Sequence, residues 1–236
     1  MVYAGILSGG IGTRMQSPDM PKQYLELGGR PILIHTIDPF LINSRIDEVI
    51  VAVPRPWVSY TIDLMRRHYP NREKLRLIPG GETRNETLMR ILDDIETRGG
   101  IGDEDVIVSH DAIRPFVSER IINDNIDAVL EYGAVDTVMP ANDTIVESAD
   151  GVRISNIPLR DHMYQGQTPQ SFHIRTLKKL YGELTEEEAA ILTDAAKIFV
   201  LKGRRVHLVK GDYSNLKITT PYDLKVANAL LENDLL

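Results

Sequence analysis

Short apolar runs alternate with segments of helical periodicity along the first half of the chain. Val2–Leu7 (VYAGIL) reads as a buried strand that runs into a glycine-rich turn. Pro31 suits the first residue of a helix through Ile32, Ile34 and His35, whereas Pro39 lies deep in that helix and should end or kink it. Glu48–Val53 (EVIVAV) is a second strand, closed by the breaker Pro54-Arg55-Pro56. Trp57, Thr61, Leu64, Met65 and His68 then share a helical face. Leu75–Ile78 is a third strand ending at Gly80-Gly81, and Leu88, Ile91, Leu92 and Ile95 return to helical spacing. Asp105–Ser109 (DVIVS) is a fourth strand that ends on His110-Asp111. Ser118 is a good N-cap for a helix carrying Ile121, Ile122, Ile126 and Val129.

This alternation predicts right-handed βαβ units. The fold class is α/β: a Rossmann-like, mostly parallel sheet with helices on both faces. From Ala134 the rhythm changes. Asp136–Met139, Thr144–Glu147, Val152–Ile154 and Met163–Gln165 are short strand candidates, with Ala149-Asp150-Gly151 as a hairpin turn. Helices are predicted at Arg175–Tyr181 and Glu186–Phe199, late strands at Val206–Val209 and Leu216–Ile218. A last helix opens at Pro221, with Leu224, Ala227 and Leu231 on one face. No linker-like stretch divides the chain, so residues 1–236 read as one domain with an embedded β-arm near 136–166. Such an arm cannot bury its own apolar face. Val146, Val152 and Ile154 are expected to pack on a second copy of the chain.

Composition narrows the function classes. The chain has no cysteine, which excludes a disulfide scaffold, a thiolate metal site and a cysteine nucleophile. Its 27 Lys+Arg against 34 Asp+Glu leave a net charge of −7, so a nonspecific nucleic-acid binder is not expected. Local convergence of a few cations on a small anion remains compatible with that total. The opening MVYAGILSGGIGTRM lacks a basic leader and its apolar run is broken by glycines. With no apolar run near the roughly 20 residues of a membrane span, the expectation is a cytoplasmic protein.

The first candidate site is the run Leu7-Ser8-Gly9-Gly10-Ile11-Gly12-Thr13-Arg14-Met15. A glycine-rich turn after a first strand lets backbone N–H groups approach phosphate oxygens. A dinucleotide fingerprint would need glycine where Met15 stands, and a P-loop would need lysine where Ile11 stands. What remains is a Gly-Gly-x-Gly loop followed by Arg14 and then Pro21-Lys22-Gln23, two cations near one loop. The same residues also fit a tight turn with solvated charges. Further polar groups stand at strand ends, where open parallel sheets bind ligands: Gly81-Glu82-Thr83-Arg84, His110-Asp111-Ala112-Ile113-Arg114, and late in the chain Asn215-Leu216-Lys217. Asp111 is well placed to ligate Mg²⁺, although an aspartate at a strand end also serves as a cap or turn. His110 reads as a packed residue rather than a catalytic base.

Seven pieces, GGIGTRM, PKQYLELGGRPIL, GGETRNET, HDAIRPF, NDTIVES, YQGQTPQSF and NLKITTPYDL, occur in an order that resembles the polyol-phosphate cytidylyltransferases. The resemblance implies that CTP and a polyol phosphate give a CDP-polyol and pyrophosphate, with Mg²⁺ as cofactor and a homodimer formed through the arm. It implies that Arg14, Lys22 and Lys217 neutralise the phosphates. Leu7, Ser8, Gly9, Gly10, Gly12, Gly81, Glu82, Arg84 and Thr87 would surround the nucleotide. Asp111, Arg114, Thr144, Arg160 and Thr168 would hold the acceptor, with Thr144 and Arg160 supplied by the partner's arm and Asp111 also holding the metal. Ser214 stands where many relatives place an aspartate, with Asp212 two residues earlier; this bears on any second carboxylate ligand.

Within the family, several features resemble the D-ribitol-5-phosphate enzymes more than the 2-C-methyl-D-erythritol 4-phosphate enzymes. They are a longer Arg14-to-Lys22 loop, HDAIRP, DTIVES without a following base, Tyr164-Gln165-Gly166 before QTPQ, and the Leu192–Gly203 segment. That resemblance implies CDP-ribitol for teichoic acid or capsule, and coupling to a ribulose-5-phosphate reductase. The methylerythritol enzyme is the alternative, and a nucleotide-binding regulatory homologue without catalysis is the alternative of another class.

Overall fold

The computed structural model describes residues 1–9, 20–71 and 73–233. Strand β1 (Val2–Leu7) is followed by a small hairpin, β2 (Glu26–Leu27) and β3 (Arg30–Pro31), and by α1 (Ile32–Ile42). Next come β4 (Glu48–Val53), α2 (Val58–His68), β5 (Leu75–Pro79), α3 (Arg84–Gly99), β6 (Val106–Asp111) and α4 (Glu119–Tyr132). The second half holds β7 (Ala134–Pro140), β8 (Tyr164–His173), α5 (Ile174–Gly182), α6 (Glu186–Ala190), α7 (Ala196–Leu201), β9 (His207–Lys210) and α8 (Pro221–Glu232).

Among the described residues the central sheet has seven strands in the order β5-β4-β1-β6-β8-β7-β9. Only β8 runs against its neighbours β6 and β7; the other pairings are parallel. Strands covered on both faces must be apolar at nearly every position, which is why VYAGIL and EVIVAV read as continuous runs. Tyr3, Ile50, Ala52, Ile107 and Phe172 pack on α3, α5 and α7. Ala4, Ile6, Val49, Val51, Val53 and Val108 pack on α1, α2 and α4. The chain leaves β1 toward β4 on one side and places β6 on the other. The strand order therefore reverses at β1, whose last residue Leu7 is paired with Asp111 of β6. Ligands of open α/β sheets bind outside the carboxyl ends at such a point.

Four expectations are corrected. Pro39 does not end α1, which continues to Ile42; the burial of Ile34, Ile37 and Phe40 holds the last turn despite the missing N–H. The predicted helix Glu186–Phe199 is two helices, α6 and α7, separated by Ile191–Ala195, where the Asp194 carboxylate accepts the Lys197 N–H. Leu216–Ile218 is not a strand. The arm strands Thr144–Glu147 and Val152–Ile154 reduce to a single bridge between Glu147 and Asn156, with Asp150 accepting the Val152 and Arg153 N–H groups at the turn. Two strands alone are marginal, and this excursion has no third strand in its own chain. Because β7 and β8 belong to the main sheet, the excursion is confined to residues 141–163. Its apolar side chains are bare, Val152 at 83% and Leu159 at 71% exposure.

Phe172 carries the antiparallel strand's contribution to the core. It is fully buried and stacks on Phe199 with ring centroids 5.0 Å apart. Phe172→Ala should destabilise the protein by about 3–5 kcal/mol in denaturant unfolding. A loss below about 1 kcal/mol would show that β8 is held by something other than this packing.

Candidate active site

A cleft of about 170 Å³ lies at the carboxyl ends of β1 and β6. Leu7, Ser8 and Gly9 enter it from β1, and Lys22 and Gln23 from the short 3₁₀ turn before β2. Glu82, Thr83, Arg84 and Thr87 come from the turn after β5 and the start of α3, Asp111 from the end of β6, and Lys217 from the segment before α8. Arg14, Gly10 and Gly12 lie outside the described residues.

One side of the cleft is built from backbone in close approach. A Cβ on Gly9 would come within 2.6 Å of Thr87 Oγ1 and 3.2 Å of the Gly81 carbonyl oxygen. A Cβ on Gly81 would meet Glu86 Cβ at 2.5 Å. Only glycine lets these two turns interlock. Thr87 Oγ1 accepts the Gly81 N–H at 3.1 Å and donates to the Thr83 carbonyl at 2.8 Å. Thr83 caps α3 by accepting the Glu86 N–H, and Glu86 in turn accepts the Glu82 N–H. Buried Gln23 donates from Nε2 to the Ser8 carbonyl at 2.9 Å, fixing the end of β1.

Asp111 is the centre of the charged side. Its carboxylate is buried, with Oδ1 accepting Arg84 Nε–H at 3.1 Å and Oδ2 taking Lys217 Nζ at 2.8 Å; Arg114 Nε stands 3.8 Å from Oδ2. Burial pushes this carboxyl up, but the charges of Arg84, Lys217 and Arg114 outweigh it and hold the group well below the usual range. Arg84 Nη1 and Nη2 are buried without a hydrogen-bond partner among the described residues, so they remain available to an incoming anion or hydroxyl.

A second layer fixes the carboxylate from behind. Asp111 N–H donates to Thr168 Oγ1 at 3.2 Å, and that hydroxyl lies 2.9 Å from His110 Nδ1. His110 Nε2 lies 3.0 Å from the Arg114 carbonyl, which can only accept. The proton therefore sits on Nε2, and Nδ1 accepts from Thr168. Arg114 is buried too, with Nη1 donating to the Asn215 carbonyl at 2.7 Å, and Asn215 Nδ2 donating to the Thr168 carbonyl at 2.8 Å. Arg114 and Thr168 thus lie behind the cleft rather than lining it. Thr144 and Arg160 do not line it either. With Leu159, Asp161 and His162 they form a separate hollow on the exposed excursion.

Gln23, Thr83 and Asn215 fall within the candidate runs that the sequence singles out, but it assigns none of them a part in shaping the site. Gln23 and Asn215 flank expected cations two residues or fewer away, and Thr83 begins a [Thr]-x-x-[Glu] cap, so each carried a local signal. No group of three or more His, Asp or Glu able to hold a metal occurs among the described residues. Asp212 is spent on Ser214 and does not line the cleft. The donor set therefore fits Mg²⁺ only as an ion carried largely by phosphate oxygens, with Asp111 as a hard carboxylate ligand.

The family model for 2-C-methyl-D-erythritol 4-phosphate cytidylyltransferase (IspD) matches residues 2–233. The chain belongs to this cytidylyltransferase family. The solved 4-diphosphocytidyl-2C-methyl-D-erythritol synthase from Anaerococcus prevotii DSM 20548 is 29% identical, covering 98% of this chain and 96% of its own, with a TM-score of 0.82. The 2-C-methyl-D-erythritol 4-phosphate cytidylyltransferase of Francisella tularensis is 28% identical over 97% of this chain and 98% of its own, with a TM-score of 0.80. The bifunctional IspDF of Campylobacter jejuni, at 22% identity, shares the fold; this chain covers 53% of it, with a TM-score of 0.74.

Burial lowers the His110 pKa to about 4 against an ordinary 6.5, so the folded protein holds this ring neutral. Its contribution to stability is complete above pH 6.5 and is lost as pH falls from there through 4, by about 3 kcal/mol. NMR titration should find the His110 ring unprotonated at pH 5.5. A ring titrating near its ordinary value would show that the Thr168–His110–Arg114 chain is open to water.

Proposed function

We propose that the chain transfers CMP from CTP to the phosphate of a polyol phosphate, releasing pyrophosphate. The observation that supports this most directly is the cleft itself: Lys22, Arg84 and Lys217 line it together, Arg84 and Lys217 paired with one buried carboxylate, with no Ser-His or Cys-His pair among its described residues. An acceptor phosphate oxygen is already anionic. It attacks the α-phosphorus, the bond to the β-phosphate oxygen breaks, and pyrophosphate leaves with that electron pair. No proton has to be removed. What the protein must supply is alignment and positive charge.

In this reading Arg14 and Lys22 meet the triphosphate and Lys217 the α-phosphate, with Asp111 keeping the Lys217 ammonium aimed into the cleft. The backbone at Leu7, Ser8, Gly9, Gly10, Gly12 and Gly81, with Glu82, Arg84 and Thr87, surrounds the nucleotide. Asp111, positioned by Arg114 and Thr168, faces the acceptor hydroxyls. Mg²⁺, when bound, offsets charge on the phosphate oxygens beside Asp111. The bare side chains of Val146, Val152, Ile154 and Leu159 suit burial against a second copy of the chain, which would deliver Thr144 and Arg160 to the acceptor phosphate.

On the acceptor, two observations pull apart. The family model and the solved relatives carry the name of 2-C-methyl-D-erythritol 4-phosphate, and they weigh toward that substrate. HDAIRP, DTIVES and the Tyr164-Gln165-Gly166 run weigh toward D-ribitol 5-phosphate. A ribulose-5-phosphate reductase partner and a teichoic acid or capsule product go with the second reading alone. Pyrophosphate release with CTP and Mg²⁺, offering each acceptor in turn, separates them. Turnover with one and not the other assigns the substrate. CTP binding without release for either would mark a regulatory homologue.

Lys22→Ala should lower kcat by about 10²–10³ with the fold retained, as expected when one charge-stabilising group is removed. If Arg160 acts across the dimer, mixing Arg160→Ala and Lys22→Ala chains should restore activity in heterodimers. No recovery despite measured subunit exchange would count against a shared site.

A further inference from the structure

We propose that Asp136 and Gln170 form a hydroxyl-binding subsite for the carbon chain of the acceptor, selecting an unbranched, fully hydroxylated chain over one that carries a methyl group. The inference rests on the polyol-phosphate reading above and adds to it the chemistry of the acceptor.

The sheet places these residues in one row. Ser109 of β6 pairs with Gln170 of β8, and Gln170 pairs with Asp136 of β7. Directly paired residues share a face, as do residues two apart along a strand, so Asp136 and Gln170 stand on the same face as Asp111. Ile107 and Phe172, two residues from Ser109 and Gln170, pack toward α3, which identifies that face as the one Arg84 begins. Two strand spacings put Asp136 about 10 Å across the sheet from β6, the reach of a short polyol and its substituents.

The polar atoms there are not satisfied by one another. Gln170 is 1% exposed and donates from Nε2 to Asp136 Oδ1 at 3.1 Å, while its Oε1 is buried with no partner among the described residues. Arg84 Nη1 and Nη2 are in the same condition, and the Arg84 charge acts on both Asp111 and Asp136. Burial pushes the Asp136 carboxyl up to about 6; the Gln170 hydrogen bond opposes the rise and the Asp194 charge adds to it. Asp136 itself is partly exposed, and the side chain that could cover it is missing: a Cβ on Gly166 would stand 4.0 Å from Oδ2. Acceptors at Gln170 Oε1 and Asp136 with donors at Arg84 match adjacent hydroxyls, each of which both donates and accepts. A methyl group at that position would leave Gln170 Oε1 and the Arg84 Nη groups buried and unpaired, and sites built for a hydroxyl discriminate strongly against its absence.

The test is steady-state pyrophosphate release by the wild type, Asp136→Asn and Asp136→Ser, with D-ribitol 5-phosphate and 2-C-methyl-D-erythritol 4-phosphate as acceptors. The subsite predicts that the wild type favours the ribitol phosphate in kcat/KM. It also predicts that both variants raise the KM for it by about tenfold or more while the KM for CTP stays within about twofold, since leaving a buried hydroxyl without its charged acceptor weakens binding by about that factor. The unchanged KM for CTP shows that the variants are folded. An unchanged acceptor KM in variants that still bind CTP would overturn the subsite, as would equal wild-type use of the methyl-bearing acceptor. Wild-type enzyme that releases pyrophosphate with neither acceptor would instead overturn the functional reading itself.

Discussion

The Asp111 carboxylate is the constraint on which the rest of the site depends. It is buried at the end of a parallel strand, where a lone negative charge would be costly, and it is tolerable only because Arg84, Lys217 and Arg114 converge on it. Those cations arrive from the start of α3, the segment before α8 and the turn after β6. One ion cluster therefore ties together parts of the chain more than a hundred residues apart. The like charges of the cations are offset by the carboxylate between them. An acidic protein with a net charge of −7 can in this way present a cationic cleft.

The backing of Asp111 ties the cluster to the strands and turns behind it. His110 has no solvent and no free nitrogen; it serves as a spacer that passes a hydrogen bond from Thr168 to the Arg114 carbonyl. Arg114 and Asn215 close the ring by joining the turn after β6 to the segment carrying Lys217. Rigid donors that need no reorganisation are what a charge-driven transfer requires.

Much of this is legible in the sequence, and the reasons are specific. β1, β4, β5 and β6 are covered on both faces, so their apolar runs announce them, and the ligand end of such a sheet follows from topology. Gly9 follows β1, Gly81 and Arg84 follow β5 and Asp111 ends β6, whereas Lys22 and Lys217 stand on segments outside the central sheet. The ten-residue strand β8 is legible only at its first residues, because QGQTPQSFH mixes glycine, proline and polar residues whose burial is decided by β6 and β7 on either side. The arm strands are suggested by β-branched residues that have no ladder to join in their own chain. Pro39 misleads because the core under α1 outweighs one missing hydrogen bond. Gln170 and Asp136 do not stand out, since a cross-strand pair has no signature along a single chain.

The interlocked turns at Gly9 and Gly81 divide the cleft into halves of different kinds. One half holds two main-chain turns where a carbon added to Gly9 or Gly81 collides, so neither position can take a side chain without moving its neighbours. The other half is made of side chains, Arg84, Asp111 and Lys217, with Gln170 and Asp136 standing farther along the sheet in the row that passes Ser109 of the same strand as Asp111. A fold partitioned in this way can exchange side chains on one half of its cleft while the main-chain turns of the other half stay as they are.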